Sequence, residues 1–218
     1  SAVNWRLNSI CREQAMRVAV LTFDGFNELD SFVASALFNR LREHGWQAAI
    51  TCPSAQVTSM NGVRIHAQQP LEFAREADVV LFGSGIKTRE IATDAGILER
   101  LQLDPQRQLI GAQCSGTLLM ARLGLLQGMP ACTDLTTKPW VIDAGLEVLD
   151  QPFFARGNLA TAGGCLSAPY LAAWAIARLA GEQACAEVLH YVAPVGEKQA
   201  FVDRAFSVIR PYLKQSVE

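Results

Sequence analysis

The sequence predicts a three-layer α/β sandwich, in which helices cover both faces of a mainly parallel sheet. Two observations support this fold class. Short apolar runs rich in β-branched residues, such as residues 17–23, alternate along the chain with segments of helical periodicity. The 218 residues are also 50% hydrophobic and only 18% charged, which suits one well-buried core. We therefore predict a single domain over residues 16–218, preceded by an irregular extension over residues 1–15.

Local signals place each element in the first half of the chain. Apolar residues recur at helical spacing in segment 31–44 until Gly45, which favours a helix end. Asn61 and Gly62 lie between two short alternating runs and predict a β-hairpin. Strands are predicted over residues 17–23, 47–52, 78–82 and 107–113, a hairpin over residues 57–66, a helical turn over residues 70–77 and helices over residues 31–44 and 94–103.

The second half continues the alternation with shorter strands. Segment 166–180 is almost wholly apolar, so its helix is expected in the centre of the domain or at an interface. Strands are predicted over residues 131–133, 147–149 and 153–156, with a further strand that ends at residues 163–164. Helices are predicted over residues 115–123, 139–144, 166–180, 183–191 and 198–212.

Composition limits the classes of partner. The chain has 19 Lys and Arg residues against 21 Asp and Glu residues, a net charge of −2 and no basic run, so it is not expected to bind nucleic acid. No apolar stretch approaches the length of a membrane span, and the start lacks the order of a signal peptide. We expect a cytoplasmic protein whose partner is a small molecule.

The cysteines and histidines show no metal-ligand spacing. There are six cysteines and three histidines: Cys11, Cys52, Cys114, Cys132, Cys165, Cys185, His44, His66 and His190. None of the cysteines forms a CxxC pair. We therefore expect free thiols, no metal and no cofactor.

The segment 109–121 is the most informative part of the sequence. An apolar run reaches Cys114 and passes directly into a helical pattern, with Gly111 before the cysteine and Gly116 after it. A cysteine between a strand and a helix start lies where free N–H groups favour its thiolate, and small neighbours allow the tight turn of a nucleophile elbow. The alternative is a buried cysteine that only packs as a small hydrophobe.

Three predicted loops converge at one edge of the sheet. Ligands of open α/β sheets bind outside the carboxyl ends of the strands. There the sequence places the acidic segment 24–30, the glycine-containing loop 83–85 and the turn 114–116. Together these loops supply an acid, N–H donors and a nucleophile, the parts needed for cysteine chemistry on a polarised carbon.

These motifs resemble the ThiJ/PfpI superfamily over nearly the whole chain after Met16. The resemblance is carried by segments 27–30 (Asn-Glu-Leu-Asp), 81–84 (Leu-Phe-Gly-Ser), 111–116, 124–128, 161–164 and 190–194. The later segments are similar to the branch that contains isonitrile (isocyanide) hydratases and the N-terminal domains of AraC-type regulators. The resemblance implies a flavodoxin-like sandwich, a homodimer and a cysteine nucleophile hydrogen-bonded to an acid.

The resemblance assigns a role to each matching residue. It implies that Cys114 is the nucleophile, that Asp30 is the acid and that the backbone N–H groups of Ser84, Ser115 and Gly83 are the oxyanion donors. Glu28 is the competing acid. Asp30 has an alternative structural role as the N-cap of the following helix.

The chain also departs from its relatives. Where many relatives carry Thr-Thr-His-Trp, residues 132–135 are Cys-Thr-Asp-Leu, and Ser115 stands where peptidase-type relatives place a histidine. Without histidine, the chemistry depends on Cys114 and Asp30, which should share one proton because two negative charges in contact repel. Asp134, Gly164 and Cys165 are candidates for the border of the pocket.

Two functions therefore stay open. One is a small-molecule lyase of the isonitrile-hydratase type or a related hydrolase. The other is a non-catalytic domain that senses a ligand or thiol oxidation. Turnover of an isonitrile or of glyoxal by the purified protein separates the two.

Overall fold

The computed structural model describes residues 15–214. Its strands are β1 (Met16–Leu21), β2 (Trp46–Cys52), β3 (Gln56–Thr58), β4 (Arg64–His66), β5 (Gln69–Pro70), β6 (Val79–Phe82), β7 (Leu109–Gln113), β8 (Phe153–Arg156) and β9 (Leu159–Ala162). Its α-helices are α1 (Glu28–Asn39), α2 (Thr88–Ile91), α3 (Ala95–Leu98), α4 (Gly116–Arg122), α5 (Lys138–Asp143), α6 (Ala168–Ala180), α7 (Glu182–Val192) and α8 (Lys198–Ile209). Short 3₁₀ turns cover Arg42–His44, Leu71–Arg75, Cys165–Ser167 and Arg210–Tyr212. The predicted extension lies, apart from Ala15, outside the described residues.

Seven strands form one sheet in the order β5-β2-β1-β6-β7-β9-β8, and only the β8–β9 pair is antiparallel. From β1 the chain moves to β2 on one side and later to β6 on the other side. The strand order thus reverses between β1 and β6, which opens a crevice at their carboxyl ends. The predicted hairpin is confirmed as the separate pair β3–β4.

Helices cover both faces of the sheet, which confirms the three-layer sandwich. Helices α1, α6, α7 and α8 enclose one core, with Trp174 and Phe38 fully buried in it. Helices α2, α4 and α5 and the Leu71–Arg75 turn enclose the other, with Leu119 and Met120 fully buried. Of the helices formed by residues 15–214, none has both the length and the apolarity to cross a bilayer.

Helix α6 lies in the centre of one layer. It packs against α1, α7, α8, β7 and β9, and its residues 171–176 are all buried. The apolar character of this segment is therefore explained by packing within one chain, and it needs no interface with a second copy.

Several predicted boundaries are wrong. The strands predicted over 131–133 and 147–149 reduce to one bridge between Ala131 and Val148, because the next amide, of Cys132, donates to the Thr161 hydroxyl at 2.8 Å instead of extending a ladder. The helix predicted over 94–103 is the short α3, which begins where the Asp94 side chain accepts the Ile97 N–H. Helix α1 begins three residues earlier than predicted, since Asn27 is its N-cap.

Close packing at the start of α4 requires a glycine. A Cβ built on Gly116 would lie 2.6 Å from the carbonyl oxygen of Phe82 and 2.7 Å from that of Gly83. Both contacts are with backbone atoms, which cannot move aside as a side chain can. Gly116 thus lets α4 approach the end of β6 and sets the depth at which the preceding cysteine lies.

We expect Gly116→Ala to destabilise the fold by about 2 kcal/mol, because the added methyl group must push β6 and α4 apart. Thermal and urea unfolding, followed by circular dichroism, measure the effect. Gly96→Ala in α3 is the control, since its Cβ would meet only the Asp94 side chain at 3.2 Å. Equal stabilities of the two variants would contradict this account of the elbow.

Candidate active site

The candidate site lies at the carboxyl ends of β1, β6, β7 and β9. The loop after β1 leads into α1, the loop after β6 contains residues 83–85, and the turn after β7 contains Cys114. The register explains the meeting of the last two strands: β7 and β9 are parallel, with Gln113 opposite Ala162. Cys114 therefore lies opposite Gly163, close to the residues that follow β9.

Cys114 is held in a strained backbone conformation. Its φ of 50° is the single positive value among the non-glycine residues of the described chain. Its N–H donates to the Ala162 carbonyl at 2.8 Å, and its own carbonyl accepts from the Thr133 hydroxyl at 2.8 Å. Such conformations cost about 1–3 kcal/mol and persist only where the surroundings fix them. These two hydrogen bonds fix the elbow, and the side chain is only 4% exposed.

Asp30 lies beside Cys114, buried in the first turn of α1. One carboxylate oxygen accepts a hydrogen bond from the Ser84 hydroxyl, and the other, Oδ1, has no partner among residues 15–214. Burial raises the pKa of Asp30, although hydrogen bonds from Ser84 and Cys114 oppose this effect. The alternative role of Asp30 as the N-cap is wrong, because Asn27 holds that position and accepts the Leu29 N–H at 3.0 Å.

Glu28, the competing acid, points elsewhere. Its carboxylate accepts hydrogen bonds from the Ser59 hydroxyl and, at 2.9 Å, from the Asn61 amide of the β3–β4 hairpin. The hydrogen bond from Ser59 is the main reason that the pKa of Glu28 is lowered. The structure therefore brings Asp30 to the cysteine and directs Glu28 to the hairpin.

The thiol of Cys114 does not have the thiolate-favouring environment that the sequence suggested. Burial is the main cause that raises its pKa, and the neighbouring Asp30 carboxylate and Cys165 raise it further. Helix α4 has only seven residues, and loss of hydration outweighs whatever its N-terminus contributes. The thiol and Asp30 therefore form a coupled pair, in which the protonation of one group raises or lowers the proton affinity of the other.

Cys165 completes this group. The Sγ atoms of Cys114 and Cys165 and a carboxylate oxygen of Asp30 all lie within 4.8 Å of one another. The Asn27 amide donates to the Cys165 sulfur at 3.3 Å. Two sulfurs and one carboxylate oxygen are also a donor set that zinc or another thiophilic cation can bind. The absence of a metal stays a prediction from the sequence.

The predicted oxyanion donors differ in their availability. The N–H of Gly83 donates to the Leu21 carbonyl at 2.9 Å, so the assignment of Gly83 as a donor is wrong. The N–H groups of Ser84 and Ser115 take no part in the hydrogen bonds found within residues 15–214. The Ser115 hydroxyl instead fixes the loop, since it accepts from the Gly85 N–H at 3.0 Å and pairs with Thr88.

The two other predicted pocket residues have structural contacts as well. Asp134 is half-buried and accepts the Thr137 N–H at 3.0 Å, which makes it a turn residue ahead of α5. Its negative charge still raises the pKa of both Asp30 and Cys114. The carbonyl of Gly164 accepts the Gln113 side-chain amide at 2.8 Å.

Gln113 is a site residue that the sequence analysis missed. Its amide nitrogen lies 3.5 Å from the Cys114 sulfur and also donates to Gly164 and Ser167, while its buried Oε1 has no partner among the described residues. The available signal was an amide side chain at the end of a strand that is otherwise apolar. Such a residue must find hydrogen bonds inside the domain.

None of the three histidines, all within the described chain, lies in this group. His44 is at the amino end of β2, His66 pairs with Gln56 in the hairpin, and His190 is exposed on α7. None contributes to the pKa of Cys114. The titratable neighbours of the sulfur are Asp30, Cys165 and Asp134.

Comparisons with known proteins agree with this fold. Residues 16–178 match the DJ-1/PfpI family. Schizosaccharomyces pombe DJ-1 superposes with a TM-score of 0.71 at 18% identity, over 82% of this chain and 100% of that one. A ThiJ/PfpI family protein from Pseudomonas syringae gives 0.73 at 19%, over 92% and 89%.

Drosophila melanogaster DJ-1beta gives a TM-score of 0.70 at 21% identity, over 82% of this chain and 98% of that one. At such identities these structures establish the fold alone. No curated protein matches the sequence. The family match spans most of the chain, and the chain therefore belongs to the DJ-1/PfpI family.

Proposed function

We propose that this protein adds water to a small uncharged molecule through a covalent intermediate on Cys114, with an isonitrile as the substrate. The observation that carries the proposal is the buried pair of Cys114 and Asp30, which can hold one proton and deliver it within the site. This pair supplies a nucleophile and a general acid without a histidine.

The reaction balances with this one proton. The Cys114 sulfur bonds to the isonitrile carbon, and the proton shared with Asp30 moves to that carbon, which gives a thioimidate. Asp30, now a carboxylate, accepts a proton from water as the water oxygen adds to the same carbon. Asp30 passes this proton to the nitrogen. The carbon–sulfur bond then breaks as the added hydroxyl group becomes the carbonyl group, its proton returns to the pair of Asp30 and Cys114, and an N-substituted formamide leaves.

Exposed apolar residues adjacent in sequence to the site loops, and the negative charge near the sulfur, support an uncharged, apolar substrate. Ile86, Leu135 and Leu166 are 66%, 84% and 82% exposed, and each directly follows a loop residue of the site in sequence. Asp30 and Asp134 provide negative charge near the sulfur, which disfavours an anionic ligand. An isonitrile with a hydrocarbon substituent meets both conditions.

The experiment is a turnover assay with an alkyl isonitrile, followed by detection of the formamide, and a parallel assay with glyoxal. Multiple turnovers that Cys114→Ala abolishes support the proposal. Turnover of glyoxal alone would redirect it to α-oxoaldehydes.

The second candidate is a sensing domain without turnover. It is favoured by the raised pKa of Cys114, which keeps the thiol protonated and less nucleophilic in the absence of a ligand. Binding of one isonitrile per chain with no formamide would support this candidate over the enzyme.

Asp30→Asn and Asp30→Ala should each reduce turnover by a factor on the order of 10² or more, because the general acid is lost. The same variants should be alkylated at Cys114 faster than the parent at pH 8, since the carboxylate that raises the thiol pKa is gone. Initial rates with isonitrile and timed iodoacetamide labelling measure the two effects. Glu28→Gln is the matched control two residues away and should change neither.

Melting temperature gives an independent check on Asp30. The folded state holds the proton of Asp30 more tightly than the unfolded chain does, so this group loses stabilising effect as the pH rises through its raised pKa. The Asp30→Asn variant has no carboxyl group that can lose a proton, so it avoids this loss of stability. It should melt at or above the temperature of the parent at pH 7. A lower melting temperature for Asp30→Asn than for the parent would indicate that the folded state stabilises the ionised form of Asp30.

The pH profile of kcat/KM should be broad. The pair of Asp30 and Cys114 holds one proton between two apparent pKa values. The lower one is raised from 3.8, the ordinary value of an Asp carboxyl group, and the upper one is raised from 9.0, the ordinary value of a Cys thiol. Activity should thus fall on the alkaline side only beyond pH 9, and this limb should move to lower pH in any active Asp30→Asn. Rates measured from about pH 4 to about pH 10 test this. An alkaline limb near neutral pH in the parent would contradict the coupled pair.

We also propose a homodimer, on the basis of the family to which the chain belongs. The apolar helix that suggested it from sequence is buried within one chain, so it no longer supports the idea. Sedimentation at micromolar concentration should give twice the mass of one chain. A monomer at that concentration would exclude a stable dimer.

A further inference from the structure

Cys165 differs from the other cysteines that surround the core. Cys52, Cys132 and Cys185 are at most 1% exposed, whereas Cys165 is half-buried. It begins the 3₁₀ turn Cys165–Ser167 directly after β9, and its sulfur lies within 4.8 Å of the Cys114 sulfur. All five cysteines in the described part of the chain are free thiols.

The pairing of β7 with β9 creates this contact. Because Gln113 lies opposite Ala162, the chain after each strand arrives at the same place, although the two cysteines are distant in sequence. The Asn27 amide holds the Cys165 sulfur at 3.3 Å, and the Gln113 amide holds the Cys114 sulfur at 3.5 Å. Both sulfurs are thus directed into one polar group around Asp30.

We propose that Cys165 is the resolving cysteine of this site, which captures oxidised Cys114 as a Cys114–Cys165 disulfide. The oxidant is a hydroperoxide. The sulfur of Cys114 attacks the terminal peroxide oxygen, the O–O bond breaks, the other oxygen leaves as an alcohol (as water when the oxidant is hydrogen peroxide) with the thiol proton, and Cys114 becomes a sulfenic acid. The sulfur of Cys165 then attacks the Cys114 sulfur, the S–O bond breaks, and the hydroxyl group leaves as water with the Cys165 proton.

The local backbone allows the sulfurs to close to bonding distance. A disulfide requires an S–S distance of about 2.05 Å, so one side chain must move. Cys114 is fixed by hydrogen bonds to Ala162 and Thr133, which leaves the movement to Cys165. Gly164 directly precedes Cys165, has a φ of 87° and has nothing within 4 Å of the position of a Cβ. The space beside Gly164 is open and does not obstruct a movement of Cys165.

Capture by Cys165 changes the fate of the nucleophile. A sulfenic acid with no thiol nearby is oxidised further to a sulfinic acid, which thiol reductants do not reverse. A disulfide withholds Cys114 from substrate but returns both thiols on reduction. Oxidation of this site is therefore reversible, a property that goes beyond the hydration reaction and does not depend on it.

The test uses the full chain treated with hydrogen peroxide, then with N-ethylmaleimide, and analysed by intact mass and peptide mapping. Before the maleimide step, the mass of the parent should be lower by two hydrogen atoms, and dithiothreitol should restore it. Peptide mapping after the maleimide step should show a linked peptide of Cys114 and Cys165. Cys165→Ser should instead gain two oxygen atoms at Cys114 that dithiothreitol does not remove. Cys185→Ser, a buried position on α7, is the control and should behave as the parent.

Several outcomes would overturn the proposal. These are a sulfinic acid at Cys114 in the parent while Cys165 remains alkylated, a disulfide that involves other cysteines, or no oxidation of Cys114. Cys165→Ala, with circular dichroism on every variant, separates a chemical effect from misfolding. A parent that forms the disulfide but does not hydrate isonitriles would support this inference and reject the proposed function. A parent that hydrates isonitriles but does not form the disulfide would support the proposed function and reject this inference.

Discussion

A carboxylic acid buried against a thiol is the constraint on which the rest of the site depends. Burial destabilises the ionised form of Asp30 and raises its pKa. Burial and the neighbouring carboxylate likewise raise the pKa of the Cys114 thiol. The Ser84 hydroxyl offsets part of this free-energy cost, because it donates a hydrogen bond to one carboxylate oxygen. Gly83 and Gly116 then become necessary, since any Cβ at either position would meet backbone oxygen within 2.7 Å and push the loops apart.

Sequence alone was sufficient for the architecture because a doubly wound sheet is encoded locally. Each buried strand is a short apolar run, and each helix has an apolar pattern of helical periodicity. In an open α/β sheet, the loops that follow the parallel strands then meet at the carboxyl edge of the sheet. The elbow at Cys114 and the acid at Asp30 could be located for this reason. The same logic failed for segments 131–133 and 147–149, where β-like residues form a single bridge because the Cys132 amide is taken by a side chain.

Properties that depend on distant contacts could not be predicted in this way. The sequence shows that Cys114 precedes a helix, but not that the helix is short or that the sulfur is buried next to two acids and another thiol. It shows a glycine at position 83, but not that its N–H is used by Leu21. Local sequence thus locates reactive atoms better than it predicts their protonation.

Asp30 connects the two kinds of chemistry assigned to this site. Burial raises the pKa of both Cys114 and Cys165, and the Asp30 carboxylate raises both values further. With an isonitrile, the shared proton moves to the substrate carbon and the carboxylate then activates water. With hydrogen peroxide, one oxygen leaves as water and the other stays on the Cys114 sulfur as a hydroxyl group. The Cys165 thiol lies close enough to displace this hydroxyl group. Burial and one carboxylate therefore together disfavour ionisation of both thiols at rest, and the identity of the incoming molecule decides which bond Cys114 forms.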